Sequence, residues 1–180
     1  MAPHTLFGIS GSLRKGSHNS MLLAEAARLF GDADYREADI NLPLYDADDE
    51  EANGVPAAVD ALAQQIADAD AVLISTPEYN KGPSGAMKNA LDWISRSKVK
   101  PWGNKPVAVM SAAAGRAGGE RAQMILRGFM VPFRPHILQG PEIHVAACHE
   151  AFDENGHLKG EMYINELTQL MDSLRASIVR

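Results

Sequence analysis

Cysteine is almost missing from this chain. Cys148 is the one thiol in 180 residues, so no disulfide can close within the chain and no C-x-x-C redox pair exists. Long apolar runs are missing too. No uninterrupted stretch is long enough to span a bilayer. The N-terminus lacks the basic flank and apolar core of a signal peptide, so a cytoplasmic protein without membrane insertion is expected. Positive charge is in deficit: 17 Lys and Arg stand against 23 Asp and Glu, for a formal net charge of -6. No long basic run offsets that balance, which gives no reason to expect nucleic acid as a partner. His144, Cys148 and His149 do not close a ligand set, so no metal is expected. Two nucleotide signatures are absent as well. Gly8, Gly11 and Gly16 do not make G-x-G-x-x-G, and Ser17 stands where the Walker lysine would follow Gly16.

What is present is a chain with 46% hydrophobic residues, enough for a sizeable core in a single domain spanning 1–180. It is organised around 4–19, HTLFGISGSLRKGSHN. A short apolar run there passes through a hydroxyl- and glycine-rich turn into an amphipathic segment with Met21, Leu22, Leu23 and Leu29. That is a strand, a turn and a helix start, which together expose backbone N–H groups to one point suited to phosphate. Ser10, Ser12 and Ser17 add hydroxyl donors and Arg14 a charge-assisted one.

Further on, Tyr35 to Ile40 reads as a second strand and Asp46 to Glu51 as a solvated acidic loop. Val59, Leu62, Ala63 and Ile66 mark a helix after Pro56. Ala71 to Ile74 is a continuous apolar run, as in a buried parallel strand, and Pro77 ends it. A loop from Glu78 to Gly85 precedes a helix through Met87, Ala90, Leu91, Trp93 and Ile94. Pro106 to Ser111 is the next strand. A small-residue loop, 112–119, follows, and then a helix stopped before Pro132. Ile143 to Ala146 is the expected last strand, with Ile137 and Leu138 competing, before a helix over Glu161 to Ile178. Strand and helix alternate about five times, which implies a parallel sheet covered on both faces. The expected fold is α/β, a flavodoxin-like three-layer sandwich with a five-stranded parallel sheet of order 2-1-3-4-5.

Ligands in such sheets bind beyond the carboxyl ends of the strands. Three unusual loops fall there: Ser10 to Ser17, Pro77 to Asn80, and Ser111 to Gly119. A phosphate cradle at one end and small walls that admit a flat ring at the other suggest a mononucleotide, and FMN fits. Each residue also has a plainer role open to it. Tyr79 is able to cap the core edge, Asn80 to form an Asx turn, and Glu78 to serve as a surface or capping carboxylate. Gly118 and Gly119 are able simply to shape a tight loop, and Arg116 to stay solvated.

Taken in order, Gly11-Ser12-Leu13-Arg14 with Ser17 and Asn19, then Pro77-Glu78-Tyr79-Asn80 with Lys88-Asn89-Ala90-Leu91-Asp92-Trp93, then Gly115 and Gly118-Gly119 with Arg121-Ala122, make a specific set. The chain resembles the NADPH-dependent FMN reductases of flavodoxin-like fold, which include quinone, chromate, azo and ferric reductases. That resemblance implies that Ser10, Ser12, Arg14, Ser17, Asn19 and Ser20 hold the FMN phosphate. It implies that Pro77, Glu78, Tyr79 and Asn80 lie along the isoalloxazine ring, with Ser111 and Gly115 on its other side. It also implies a homodimer or homotetramer, with Lys88, Asn89, Asp92 and Trp93 structural or interfacial. The chain departs from the family in having Ser84-Gly85 where Pro-Gly is usual, Ala112 to Ala114 where glycine is richer, and its own Lys81-Gly82.

The expected activity is an FMN-dependent NAD(P)H:acceptor oxidoreductase. Hydride passes through flavin N5 in ping-pong fashion to quinones, with chromate, ferric complexes and azo compounds as further small-molecule acceptors. No acid–base residue is demanded, so no catalytic side chain is assigned. NADH or NADPH is the co-substrate, with Arg116 the candidate for its phosphates. The alternative is an FMN-binding electron carrier or redox sensor without efficient NAD(P)H turnover. A hydrolytic or phosphoryl-transfer enzyme is disfavoured, because the chain lacks a G-x-S-x-G elbow and a cysteine in the phosphate loop.

Overall fold

The structure, a computed structural model, describes residues 3–179. The stretch around Gly11 becomes β1 (His4–Ser10), a loop, and α1 (His18–Phe30). β2 (Ala33–Glu37), α2 (Ala47–Asn53), α3 (Ala57–Asp68) and β3 (Ala71–Ser75) follow. A small hairpin, β4 (Glu78–Tyr79) and β5 (Gly82–Pro83), leads into α4 (Gly85–Arg96) and β6 (Pro106–Ala112). The chain then runs through α5 (Glu120–Met130), β7 (His136–Ile137), β8 (Ile143–Val145) and α6 (Glu161–Ala176). No helix among the described residues is long and apolar enough to cross a membrane.

The main sheet is parallel, in the order β2-β1-β3-β6, and both β7 and β8 pair with β6 at its free edge. The two competing candidates for the last strand are therefore both strands. β7 lies beside Pro106 and Val107, and β8 beside Met110 to Ala112, so the fifth position of the expected 2-1-3-4-5 order is filled by two short pieces.

The continuous apolar runs of the central strands are sorted by the two-residue period of the strand. Leu6, Ala71, Leu73, Ala108 and Met110 face a core shared with α1 and α6. Phe7, Ile9, Val72, Ile74, Val107 and Val109 face a second core shared with α3, α4 and α5. Each fully buried Leu or Ile side chain here contributes about 1.5–3 kcal/mol, and covering both faces in this way is what makes three layers.

Two boundaries differ from expectation. β2 pairs from His4↔Ala33 to Gly8↔Glu37, two residues earlier than the Tyr35 start read from sequence. The Tyr35 ring lies so close over Gly8 that a Cβ there would come within 2.6 Å of its hydroxyl. The acidic stretch after Tyr45 is not a loop but α2. Asp46 caps it by accepting from Asp48 N at 2.9 Å, and Asp48, Asp49 and Glu50 occupy the first turn, where the helix dipole favours negative charge.

Candidate functional site

β1, β3 and β6 all end on the same edge, and backbone bonds pull their loops together. Gly11 N donates to Ser75 O at 2.7 Å and Thr76 N to Met110 O at 3.2 Å. Gly11 has no room for a side chain: a Cβ would lie 2.8 Å from Thr76 Oγ1. Ser84 adds a tie through its hydroxyl, which donates to Gly11 O at 2.5 Å and also caps α4 by accepting from Met87 N.

Asn19, expected from the resemblance as a phosphate ligand, is the knot of this edge. It is buried, and its Oδ1 accepts from Ser75 Oγ at 2.8 Å and from Ala112 N at 3.0 Å, while its Nδ2 donates to Ala112 O at 3.0 Å. One amide thus joins α1 to the ends of β3 and β6.

The neighbouring groups remain available. Ser17 caps α1, its Oγ accepting from Asn19 N and Ser20 N, and Ser12 Oγ accepts from Arg14 N at 3.3 Å. A hydroxyl used only as an acceptor keeps its own proton to donate. Among the described residues, the N–H groups of Leu13, Gly16 and His18 and the Arg14 guanidinium have no acceptor in the chain. Gly16 opens onto free space. Unspent donors at a helix N-terminus make an anion cradle, so the residues present fit the phosphate of FMN.

The second loop is the β4–β5 hairpin. Asn80 and Lys81, at φ 50° and 71°, form the left-handed tip characteristic of tight hairpins. Glu78 takes the capping role left open for it. α5 has Gly119 at its cap position and no side-chain cap of its own, and Glu78 Oε2 accepts from Ala122 N at 3.2 Å. The third loop is pressed onto β8. A Cβ on Gly118, at φ 59°, would lie 2.4 Å from the His144 carbonyl. Ser111 holds this loop from below: its hydroxyl donates to Gly118 O at 2.6 Å and accepts from Gln123 Nε2 at 2.8 Å.

Two adjoining cavities result. One of about 200 Å³ lies between Ser12, Arg14 and Ser17 on one side and Pro77, Glu78, Tyr79 and Ala112 to Ala114 on the other. A larger one, about 850 Å³, shares Glu78, Ala113 and Ala114 with it and continues past Asn80, Lys81, Gly115, Arg116 and Arg121. The expected residues therefore divide. Ser12, Arg14, Ser17, Pro77, Glu78 and Tyr79 line the smaller cavity, with Asn19 at its wall. Asn80, Gly115 and Arg116 line the larger one. Ser10 and Ser20 line a neighbouring depression that shares Ser12 and Arg14 with the smaller cavity and runs on to Glu37 and Asp39, and Ser111 lines neither cavity.

His18 and Cys148 are additions. Both line the smaller cavity, with Cys148 Sγ 3.5 Å from His18 Nδ1 and the His18 ring stacked on Phe152. Burial, with Arg14 and His149 nearby, holds the His18 imidazole below its usual range, and burial pushes the Cys148 thiol up. The contact spans 130 positions, and no local pattern in the sequence announces it.

Asn89 and Trp93 tie α4 to the segment before α2. Trp93 Nε1 and Asn89 Nδ2 both donate to Pro43 O, at 2.7 and 2.9 Å, and Asn89 Oδ1 accepts from Tyr45 N.

A family model described as NADPH-dependent FMN reductase matches residues 5–150. An NAD(P)H-dependent FMN reductase of Pseudomonas aeruginosa is 42% identical over 177 residues, 97% of this chain and 95% of that protein. A quinone reductase of Escherichia coli is 42% identical over 135 residues, 73% of this chain and 72% of that protein. Among solved structures, the flavoenzyme NAD(P)H:(acceptor) oxidoreductase of Paracoccus denitrificans superposes with a TM-score of 0.86 at 31% identity, covering 97% of each chain.

Proposed function

The chain belongs to the NADPH-dependent FMN reductase family, and from that premise we propose that it binds FMN and transfers reducing equivalents from NAD(P)H to quinones. The observation that carries this reading is the set of unspent donors at the α1 N-terminus, opening into a cavity walled by Pro77 to Tyr79 and Ala112 to Ala114. FMN held here would supply hydride chemistry at its N5.

The chain's own residues bind, orient and shield. Ser12, Arg14, Ser17 and the free amides hold the phosphate. Asn19 fixes the loops that carry them. Pro77, Glu78 and Tyr79 run along the ring, and Glu78 keeps the hairpin in place through α5. Ala112 to Ala114 let the ring approach the backbone closely. Arg116, exposed in the adjoining cavity and without a partner in the described chain, meets the nucleotide's phosphates. Quinones are the acceptors the relatives' names support best, with chromate, ferric complexes and azo compounds as further substrates of a reduced flavin. The working unit is a homodimer or homotetramer.

The test is a spectroscopic titration of the purified protein with FMN, followed by quinone-dependent oxidation of NADH and NADPH. Stoichiometric binding and catalytic turnover are expected. Absence of flavin binding would contradict the site, and binding without turnover would favour an electron carrier.

A further inference from the structure

α4 and α5 both start at the flavin edge and run down to the opposite, amino-terminal edge of the sheet. The end of α4, the turn before β6 and the turn after α5 enclose a further cavity there, of about 460 Å³. Its apolar walls are Ile94, Pro101, Trp102, Pro132 and Phe133, and Lys100 and Arg134 complete it. It shares no residue with the two cavities of the flavin edge. Its size falls within the range of small-molecule sites, roughly 300–1,000 Å³.

Two hydrogen-bond donors of this cavity are unspent. Trp102 is only 2% exposed, yet its Nε1–H has no acceptor among the described residues. A buried indole N–H normally finds a partner. The other tryptophan obeys that rule, since Trp93 Nε1 donates to Pro43 O. The second free donor is the exposed guanidinium of Arg134, which also has no acceptor among the described residues. The Arg134 backbone is tied to the turn that carries Trp102: its carbonyl accepts from Asn104 N at 3.0 Å, and its N–H donates to Val131 O at 3.2 Å. Both donors therefore belong to one braced unit, and the Phe133 ring lies 6.3 Å from the Trp102 ring within it.

Helix C-termini ordinarily disfavour an anion, because their last carbonyls are free. Here Lys100 Nζ donates to Ser95 O at 2.9 Å and Ser97 O at 2.8 Å, which places a cation on the end of α4. No Asp or Glu lines the cavity, although the chain has 23 of them. Free donors without a competing carboxylate, set among flat apolar side chains, complement a planar ring that carries an acid group. We propose that this cavity is a second ligand site, which takes an aromatic carboxylate. The ring lies among Trp102, Phe133 and the two prolines, and the carboxylate accepts from the Trp102 indole N–H and the Arg134 guanidinium. The inference stands independently of the flavin-reductase reading.

The experiment is a calorimetric titration of the purified full chain with 2-naphthoate and with its neutral counterpart 2-naphthalenemethanol, each with and without saturating FMN. The acid is expected to bind roughly tenfold tighter than the alcohol, as a charge-assisted bond implies, and FMN is expected to leave its affinity unchanged. Arg134→Gln removes no side-chain bond within the protein. Its unfolding midpoint should hold, while its affinity for the acid falls about tenfold and that for the alcohol does not. Trp102→Phe keeps a ring but loses the N–H, and should weaken the acid more than the alcohol. No binding of the acid, equal binding of acid and alcohol, or undiminished acid affinity in Arg134→Gln would overturn the inference. Displacement of the acid by FMN would overturn it as well, by placing the acid in the flavin cavity.

Discussion

Asn19 shows how much a single side chain contributes at this edge of the sheet. Its amide satisfies the Ala112 N–H, the Ala112 carbonyl and the Ser75 hydroxyl in a buried setting. Asn19→Ala leaves three groups unpaired, and at about 1 kcal/mol or more for each it should cost roughly 3 kcal/mol of stability, read from urea unfolding midpoints. Arg14→Ala should behave in the opposite way. The exposed guanidinium has no partner to lose, so the unfolding midpoint should stay put. FMN binding should weaken roughly 10-fold or more, as expected for a lost charge-assisted bond of about 1.5–3 kcal/mol. An Arg14→Ala protein with unaltered FMN affinity would remove that residue from the cradle. Sequence alone does not separate these two roles. Asn19 and Arg14 lie in one motif and both are polar, but whether a polar group meets a ligand or another loop depends on contacts such as Asn19 to Ala112, 93 positions apart.

Among the elements, β1, β3 and β6 were legible because strands buried on both faces carry unbroken apolar runs. β2 was misplaced by two residues because it lies at the edge, with Asp34, Arg36 and Glu37 interrupting the pattern. The divided fifth position was ambiguous for the same reason, since neither β7 nor β8 is long enough to show a period.

The third loop depends on the close approach of the Gly118 backbone to His144, which leaves no room for a Cβ. Gly118→Ala adds left-handed strain of about 1–2 kcal/mol to a collision with the His144 carbonyl. It should lower the unfolding midpoint markedly and loosen flavin binding together with it; an undisturbed melting temperature would refute the close approach.

α1 carries a pH-sensitive tie. Glu25 is buried in it, and the hydrogen bond from Arg28, helped by one from His157, holds its carboxyl below the usual carboxylate range despite burial. A depressed carboxyl stabilises the fold fully above its unfolded value of 4.5, and that contribution is lost as pH falls through the folded value. Glu25→Gln should therefore flatten the acid limb of the stability–pH curve below about pH 4.5, as followed by denaturant midpoints. An unchanged acid limb would show that the tie contributes nothing.

At the scale of the whole molecule, two cores hold one rigid sheet whose carboxyl edge presents every loop of the site. The sandwich and the placement of the three loops followed from alternation of strand and helix. The division of the site into two cavities did not, because it arises from Glu78 reaching across to α5 and Ser111 pinning Gly118. The surface also bears on assembly. Leu44 is 84% exposed, on the segment that Asn89 and Trp93 clamp through Pro43. If this face joins subunits in the proposed oligomer, sedimentation should give a mass of at least two chains, and Leu44→Asp should shift it towards the monomer. A wild-type monomer would contradict the assembly.

The most direct test of the account is to mix the FMN-loaded protein with NADPH in the absence of oxygen and follow the flavin absorbance. The account predicts rapid bleaching of the bound flavin and its recovery when a quinone is added. Flavin that binds but stays oxidised under NADPH would contradict the reductase reading.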